Sequence, residues 1–252
     1  MIIELFGPPA AGKTTFARNL AARLRGSGRP VDLILSFRPA ETIAGDGPPA
    51  APPLAAMRRL ARPAIELLTG MDYLSAGSRE TSVASELLAL LPPASPVWSV
   101  RLRQYIGRLE SSWRLAGQSD ATVIFDQGFV QAVCSLMLLG RAPAEGAAEK
   151  ALTVIPKADQ WIRIDAPRPL LQARLEARRR GQSWIERRFE LDTQTSLRSI
   201  EILNMLDQIL RRREPRIAHI GPGESWLPQD WPGMAEPGSA MTPADASGSG
   251  AR

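Results

Sequence analysis

A glycine-rich turn near the start of the chain constrains the fold more than any other feature. Residues 7–14 read Gly-Pro-Pro-Ala-Ala-Gly-Lys-Thr, which fits the pattern G-x-x-x-x-G-K-[ST] without a mismatch. The turn follows an apolar run from Ile2 to Phe6 that predicts a short strand. It precedes residues 13–24, where apolar side chains recur at helical spacing. A strand, a tight turn and a helix in this order predict the first βα unit of an α/β protein.

The backbone of this turn is suited to hold phosphate. Its N–H groups can surround phosphate oxygens, and the N-terminus of the following helix adds partial positive charge. Gly12 lets the backbone approach closely, Lys13 can reach the β and γ phosphates, and Thr14 offers a hydroxyl to Mg²⁺. The residues predicted to bind ATP, the cofactor expected together with Mg²⁺, are Gly7, Pro8, Pro9, Ala10, Ala11, Gly12, Lys13, Thr14 and Thr15. The alternative is a chance match in a turn, which the predicted strand and helix on either side disfavour.

A second candidate for the same site lies at the end of another strand. Residues 122–125 are apolar and predict a strand that is buried on both faces, and Asp126 follows directly. A carboxylate at this place can orient Mg²⁺, so we predict Thr14 and Asp126 as the metal-binding residues. The alternative is that Asp126 caps the helix that the sequence predicts next.

Strands and helices alternate along most of the chain. This order predicts a three-layer α/β/α fold with a mostly parallel five-stranded sheet, covered by helices on both faces. Residues 1–220 form the predicted domain, and the Gly-, Pro-, Ser- and Ala-rich residues 221–252 are predicted to be a largely disordered tail. The predicted strands are 2–6, 31–37, 122–125, 161–164 and 217–220, and the predicted helices are 13–24, 54–68, 82–91, 98–115, 129–139, 170–180 and 185–212.

The composition excludes several classes of protein. A single cysteine, Cys134, excludes a disulfide framework, and a single histidine, His219, excludes a two-histidine metal centre within one chain. We interpret Cys134 as a core residue and assign no role to His219. Without an apolar run long enough to span a bilayer or a basic N-terminal region, the chain is expected to be cytoplasmic and without a membrane partner. The net charge of +5 is modest and aromatic residues are not interleaved with basic ones, so no nucleic-acid partner is expected.

Arginines cluster around a break between two predicted helices. The break is residues 181–184, Gly-Gln-Ser-Trp, and a flexible segment there could close as a helical lid over a nucleotide. Arginines on such a lid would stabilise the charge of a phosphoryl group in transfer, with Arg174 and Arg178 the first candidates. The alternative is a solvated helix face. The cluster comprises Arg174, Arg178, Arg179, Arg180, Arg187 and Arg188.

Taken in order, these segments resemble the P-loop nucleoside and nucleotide kinases, most closely the thymidylate kinases. Besides the loop, Phe37-Arg38-Pro39 is similar to the family's Arg-Glu-Pro segment, and Asp126-Gln127 stands where the family has Asp-Arg. Residues 159–165, followed by 174–187, resemble its fourth strand and lid. The resemblance implies a P-loop NTPase fold and an enzyme that transfers the γ-phosphoryl group of ATP. It also implies that Arg38 and Gln127 bind the acceptor. Since the acid before Pro39 and the arginine at position 127 are missing, dTMP is not the expected acceptor.

The remaining candidates concern the acceptor and the competing functions. Arg101, with Arg103 and Arg108, lies on a predicted helix that could contact an anionic acceptor, although the charge pattern favours a solvated face. The sequence therefore predicts a kinase of a nucleotide, a nucleoside or another small molecule. A non-catalytic ATP-binding module or a regulatory ATPase is the alternative. Whether the chain is a monomer or a homodimer is left open.

Overall fold

The computed structural model describes residues 1–36, 82–140, 145–181, 191–214 and 217–221. Four predicted features lie outside the described residues: Arg38, the helix 54–68, the lid segment around Trp184 and residues 222–252 of the tail.

Five parallel strands form a single sheet with the order β2-β3-β1-β4-β5. All five predicted strands are confirmed, within a few residues at their ends. The sheet lies between helices, which confirms the predicted three-layer α/β fold. The strands are β1 (Ile2–Phe6), β2 (Val31–Ile34), β3 (Thr122–Phe125), β4 (Gln160–Ile164) and β5 (Ile217–Ile220).

Seven helices connect and cover the strands in the described residues. The helix from 145 to 154 was not predicted, although its Ala, Glu, Lys and Leu residues favour a helix and Ala148, Ala151 and Leu152 bury one face at helical spacing. The prediction of one helix over 185–212 was wrong at residues 191–192, where Asp192 is extended and its carboxylate accepts the N–H of Thr195 as an N-cap. The helices are α1 (Lys13–Gly26), α2 (Val83–Leu90), α3 (Pro96–Ala116), α4 (Phe129–Leu139), α5 (Glu145–Val154), α6 (Arg168–Arg180) and α7 (Thr193–Arg213).

Successive side chains of β1 point to opposite faces of the sheet and contribute to the apolar cluster on each face. Ile2 and Phe6 face a cluster formed with α2, α3, α4, α5 and α7, whereas Ile3 and Leu5 face α1 and α6. Every residue of β1 is buried, as expected for a central strand of a parallel sheet that is covered on both sides. No helix in the described part of the chain is long and apolar enough to cross a membrane.

The strand order places β1 at the point where the chain changes direction across the sheet. The connection that follows β1 leads to β2 on one side, and the connection that follows β4 leads to β5 on the other. A crevice opens at the carboxyl ends of strands at such a point, and it is where open α/β sheets bind ligands. The glycine-rich turn at residues 7–12 lies there.

A buried ion-pair network joins β4 and β5 to α7. The Nε atom of Arg163 lies 2.8 Å from an Asp165 carboxylate oxygen, and its Nη1 lies 3.1 Å from Asp207. Asp207 also contacts His219, at 3.0 Å from Nε2. His219, to which the sequence analysis assigned no role, therefore has a structural partner 12 residues away in the chain. The network fixes the edge of the sheet against the last helix.

Replacing Asp207 tests how strongly this network holds the fold. Asp207→Ala would leave the buried Arg163 guanidinium without one of its carboxylate partners, and we expect a loss of about 3 kcal/mol in the free energy of unfolding, measured by urea denaturation. Glu145→Ala is the control, because Glu145 and its partner Arg212 are both largely exposed, and such a pair contributes less than about 1 kcal/mol. Equal losses in the two variants would contradict this assignment.

Candidate active site: a phosphate-binding loop

Positive backbone angles shape the turn between β1 and α1. Gly7 has φ 148°, Ala10 has φ 65° and Gly12 has φ 104°. Alanine adopts this left-handed region at a cost of about 1–2 kcal/mol, so the surrounding structure holds Ala10 there against its own preference. Because three of the six residues 7–12 have positive φ, the chain turns back on itself between β1 and α1 and forms a curved loop.

The first residue of the loop passes directly beside β4. A Cβ atom on Gly7 would lie 2.1 Å from the carbonyl oxygen of Ile164, which is closer than any real contact. A Cβ atom on Gly12 would meet nothing within 4 Å. Glycine is favoured at the two positions for different reasons. Position 7 lacks the space for a side chain, whereas position 12 requires only a positive φ.

The N-terminus of α1 lies open toward the inside of the loop. Its N-cap residue, Gly12, has no side chain to bind the first N–H groups, and no acidic residue occupies the first turn. Such N–H groups and the positive end of the helix dipole favour an anion. The predicted phosphate site thus has its donors in place. Thr15, also predicted to contact phosphate, is exposed on this first turn.

Lys13 lies folded against the loop that precedes it. Its Nζ atom donates to the carbonyl oxygens of Gly7 and Pro8, at 2.7 and 2.9 Å, and the side chain is buried. The ammonium group is therefore held at the centre of the turn, next to the open helix N-terminus. The structure brings Lys13 to the place that the sequence predicted, beside the candidate phosphate site.

Asp126 meets the loop from the end of β3. One carboxylate oxygen accepts the Thr14 hydroxyl at 2.8 Å, and the other accepts the backbone N–H of Ser36 at 2.5 Å. Asp126 is fully buried. The alternative in which Asp126 caps a helix is wrong, because α4 begins three residues later and its N-cap is Gly128.

Thr14 and Asp126 together suit a magnesium ion. Hydroxyl and carboxylate oxygens are the ligands that Mg²⁺ prefers, and it commonly takes one or two carboxylates and keeps several waters. The short contact between Thr14 and Asp126 joins residues that are 112 positions apart in the chain, and it lies at the mouth of the loop. The two residues predicted to hold the metal are thus adjacent, which supports the prediction without testing it directly.

Arg174 reaches the loop from α6. Its Nη1 atom donates to the carbonyl oxygen of Ala10 at 3.1 Å, while most of the side chain is exposed. Arg178 lies one turn further along the same helix and is half-buried. The helix ends at Arg180, as predicted. Of the predicted lid, the structure thus places Arg174 at the loop, and the lid segment itself lies outside the described residues.

The predicted acceptor residues are placed in part. Gln127 follows Asp126 directly and is half-buried. Arg101 lies near the start of α3, where its guanidinium stacks over the Trp98 ring at 4.9 Å from the centroid. Their predicted contact with an acceptor stays a prediction, as does that of Arg38.

Three buried or half-buried polar residues around the site were not predicted. Ser36 binds Asp126 through its N–H and, at 3.2 Å, through its hydroxyl. The side-chain oxygen of Gln131 accepts the N–H of Gly7 at 3.4 Å. Glu4, in the middle of β1, is completely buried. The sequence could have indicated Glu4, because an acidic residue in the middle of an apolar strand is unusual. The hydrogen-bond partners of all three residues are known only from the fold.

The carboxyl group of Glu4 is strongly perturbed. Burial raises its pKa to about 8, and the N–H of Val130 opposes the shift by donating to Oε1 at 2.6 Å. The indole of Trp161 on β4 also favours the charged form, although its N–H does not reach hydrogen-bonding geometry. Cys134, by contrast, is the core residue that the sequence predicted, and burial raises the pKa of its thiol to about 12.

These features define a three-layer α/β protein with a P-loop at the carboxyl edge of its parallel sheet. No protein-family model matches the chain, and no curated protein sequence is similar to it. Among solved structures, one that resembles it is a deoxyadenosine kinase from M. mycoides with the products dCMP and a flexible dCDP bound. The similarity covers 90% of this chain and 92% of that chain, with 10% sequence identity and a TM-score of 0.43. At this level the likeness assigns no activity, which depends on the site itself.

The two loop glycines make a test of the loop geometry. Both Gly7→Ala and Gly12→Ala place a side chain at positive φ, but only the first also meets the Ile164 carbonyl. We expect Gly7→Ala to lower the melting temperature by about 5 °C more than Gly12→Ala, measured by scanning calorimetry. Similar losses in the two variants would contradict the close approach of the loop to β4.

The perturbed pKa of Glu4 predicts how stability changes with pH. Its value is about 8 in the folded protein against 4.5 for the free side chain, so between these values only the folded state keeps the proton. The free energy of unfolding of the wild type should therefore fall, relative to that of Glu4→Gln, as pH rises from about 4.5 to about 8, and level off above. Urea denaturation of both proteins from pH 5 to 9 measures this difference. A constant difference over that range would show that Glu4 does not titrate as described.

Proposed function

We propose that this protein is an ATP-dependent phosphotransferase that moves the γ-phosphoryl group of ATP to a nucleotide, a nucleoside or another small-molecule acceptor. The observation that carries the proposal is the contact of Thr14 with Asp126 at 2.8 Å, at the mouth of a loop whose lysine lies at its centre. A loop that only turns the chain does not need a buried lysine at its centre and a buried aspartate at its mouth.

The donor is held by the loop and the start of α1. The open N–H groups of the loop and of the helix N-terminus bind the phosphate oxygens. Lys13 exchanges its two carbonyl partners, Gly7 and Pro8, for oxygens of the β and γ phosphates. Thr14 and Asp126 hold Mg²⁺, which, when bound, neutralises part of the charge on those phosphates.

The transfer itself is a displacement at phosphorus. The acceptor oxygen forms a bond to the γ phosphorus, the bond from that phosphorus to the β–γ bridging oxygen breaks, and ADP leaves with the electron pair. The acceptor hydroxyl gives up its proton, or the acceptor phosphate attacks as an anion. Charge spreads over the transferred oxygens, and Arg174 and Arg178 stabilise it, a role that the contact of Arg174 with the Ala10 carbonyl supports.

The acceptor side of the site supports a narrower statement. Gln127 follows the metal-binding carboxylate and carries a neutral amide, where the thymidylate kinases that the sequence resembles have an arginine. We therefore do not extend the proposal to dTMP. The same residue favours the second candidate function, a module that binds ATP without transferring phosphate. A cytoplasmic location and the absence of nucleic-acid partners stay predictions.

Measuring ADP release separates these functions. The purified protein is incubated with Mg·ATP alone and then with a panel of nucleosides, monophosphates and sugars. Release that an acceptor stimulates supports a kinase, whereas release independent of any acceptor indicates an ATPase. Binding of Mg·ATP without release indicates a non-catalytic module, and the absence of Mg·ATP binding would overturn the nucleotide site altogether.

Lys13 is the residue whose loss should matter most. Lys13→Ala is expected to lower turnover, or Mg·ATP affinity if there is no turnover, by about 100-fold or more, because a charge at the phosphates is lost. Lys157→Ala is the matched control, since Lys157 is largely exposed and forms an ion pair with Glu214 away from the loop. Circular dichroism establishes that both variants are folded. Unchanged activity in a folded Lys13→Ala protein would contradict the assignment of Lys13 to the phosphate site.

A further inference from the structure

The buried acid of β1 has no part in the chemistry above. Glu4 is the only charged residue of its strand, and it points into the apolar layer formed with α3 and α4. One oxygen, Oε2, has no hydrogen-bond partner among the described residues. A buried carboxyl group is costly, and a leucine would fill the same layer at lower cost. Its presence therefore needs a reason in the contacts it makes.

The first contact is with the start of α4. Oε1 of Glu4 accepts the backbone N–H of Val130 at 2.6 Å, which is one of the N–H groups that a helix cannot satisfy by itself. The N-cap residue, Gly128, has no side chain to do so. Glu4 thus caps helix α4 from strand β1, and it lies 126 residues before Val130 in the chain.

The second contact explains the glycine at position 128. A Cβ atom there would lie 2.4 Å from the Cδ atom of Glu4. The backbone of Gly128 has φ −119° and ψ −148°, so it lies outside the left-handed region that favours glycine. The demand for glycine comes from the Glu4 carboxyl group, which occupies the place that an N-cap side chain would take.

Both contacts bear on the candidate active site. Gly128 lies two residues after Asp126, and Val130 lies next to Gln131, whose side chain binds the N–H of Gly7. The first turn of α4 is therefore tied to the middle of β1 through Glu4 and to the start of the loop through Gln131. The turn that carries Asp126 toward Thr14 comes directly before this first turn of α4.

We propose that Glu4 is a positioning residue: by capping α4 from β1 in the space left by Gly128, it holds the turn of residues 126–128 so that Asp126 faces Thr14. It touches neither nucleotide nor metal. Its effect on magnesium-dependent binding rests on the proposed function, whereas its effect on the α4 turn does not.

A double-mutant cycle tests the cap. Glu4→Ala removes the acceptor, and Gly128→Ser places a side chain against the carboxyl group. Together they let the introduced serine hydroxyl cap α4 in the vacated space. We expect each single variant to lower the melting temperature by about 5 °C or more, and the double variant to be at least as stable as the less stable single one.

Gly146→Ser is the control for the serine itself, because a Cβ atom at position 146 meets nothing within 4 Å. If Gly128→Ser alone does not fold, recovery of a folded double variant still supports the proposal. Losses in the double variant that equal the sum of the single losses would overturn it.

Magnesium dependence tests the positioning. The ratio of ATP affinities with and without Mg²⁺, measured by calorimetry, should fall by about tenfold or more in Glu4→Ala. Glu4→Gln keeps an oxygen for the N–H of Val130, and we expect it to keep the wild-type ratio within about threefold.

A lower melting temperature with an unchanged ratio in Glu4→Ala would show that Glu4 stabilises the fold without positioning Asp126, and would overturn the proposal. If the wild type binds no Mg·ATP, the proposed function fails. The stability cycle then decides on its own whether Glu4 holds the α4 turn.

Discussion

The close approach of parallel strands around the end of β1 is the constraint on which the rest of the structure depends. Gly7 passes so near the Ile164 carbonyl that no side chain fits, and on the other side β3 delivers Asp126 within hydrogen-bonding distance of Thr14. Both contacts exist because β1 pairs with β3 and β4 in parallel. The carboxyl ends of all three strands then meet at one edge, where the chain also changes direction across the sheet.

Two charged side chains of opposite sign are buried at this edge of the sheet. Lys13 and Asp126 are both buried, and both bind neutral groups: the lysine donates to two carbonyl oxygens of its own loop, and the aspartate accepts from hydroxyl and N–H groups. Such neutral groups are weak competitors for an anionic ligand at Lys13 and for a cation at Asp126.

Much of the site follows from local sequence. The pattern of residues 7–14 specifies a loop that needs left-handed backbone at fixed places, and the apolar run before Asp126 specifies a buried strand ending in an acid. Asp192 shows the limit of periodicity, since a helical pattern continues through it, whereas its extended backbone and its side chain, which accepts the N–H of Thr195, make it the N-cap at which α7 begins. Helix α5 shows the opposite error, because no helix was predicted there although its residues favour one and its buried side chains recur at helical spacing.

The sequence by itself determined the order of strands and helices, the loop and the candidates Lys13, Thr14 and Asp126, since each depends on neighbours a few residues away. Only the tertiary structure decided that Thr14 meets Asp126, that Arg163 and His219 share Asp207, and that Glu4 takes the place of a side chain at Gly128. The physical reason is sequence distance. Most of these pairs lie far apart in the chain, and they become neighbours only when five strands pair in one particular order.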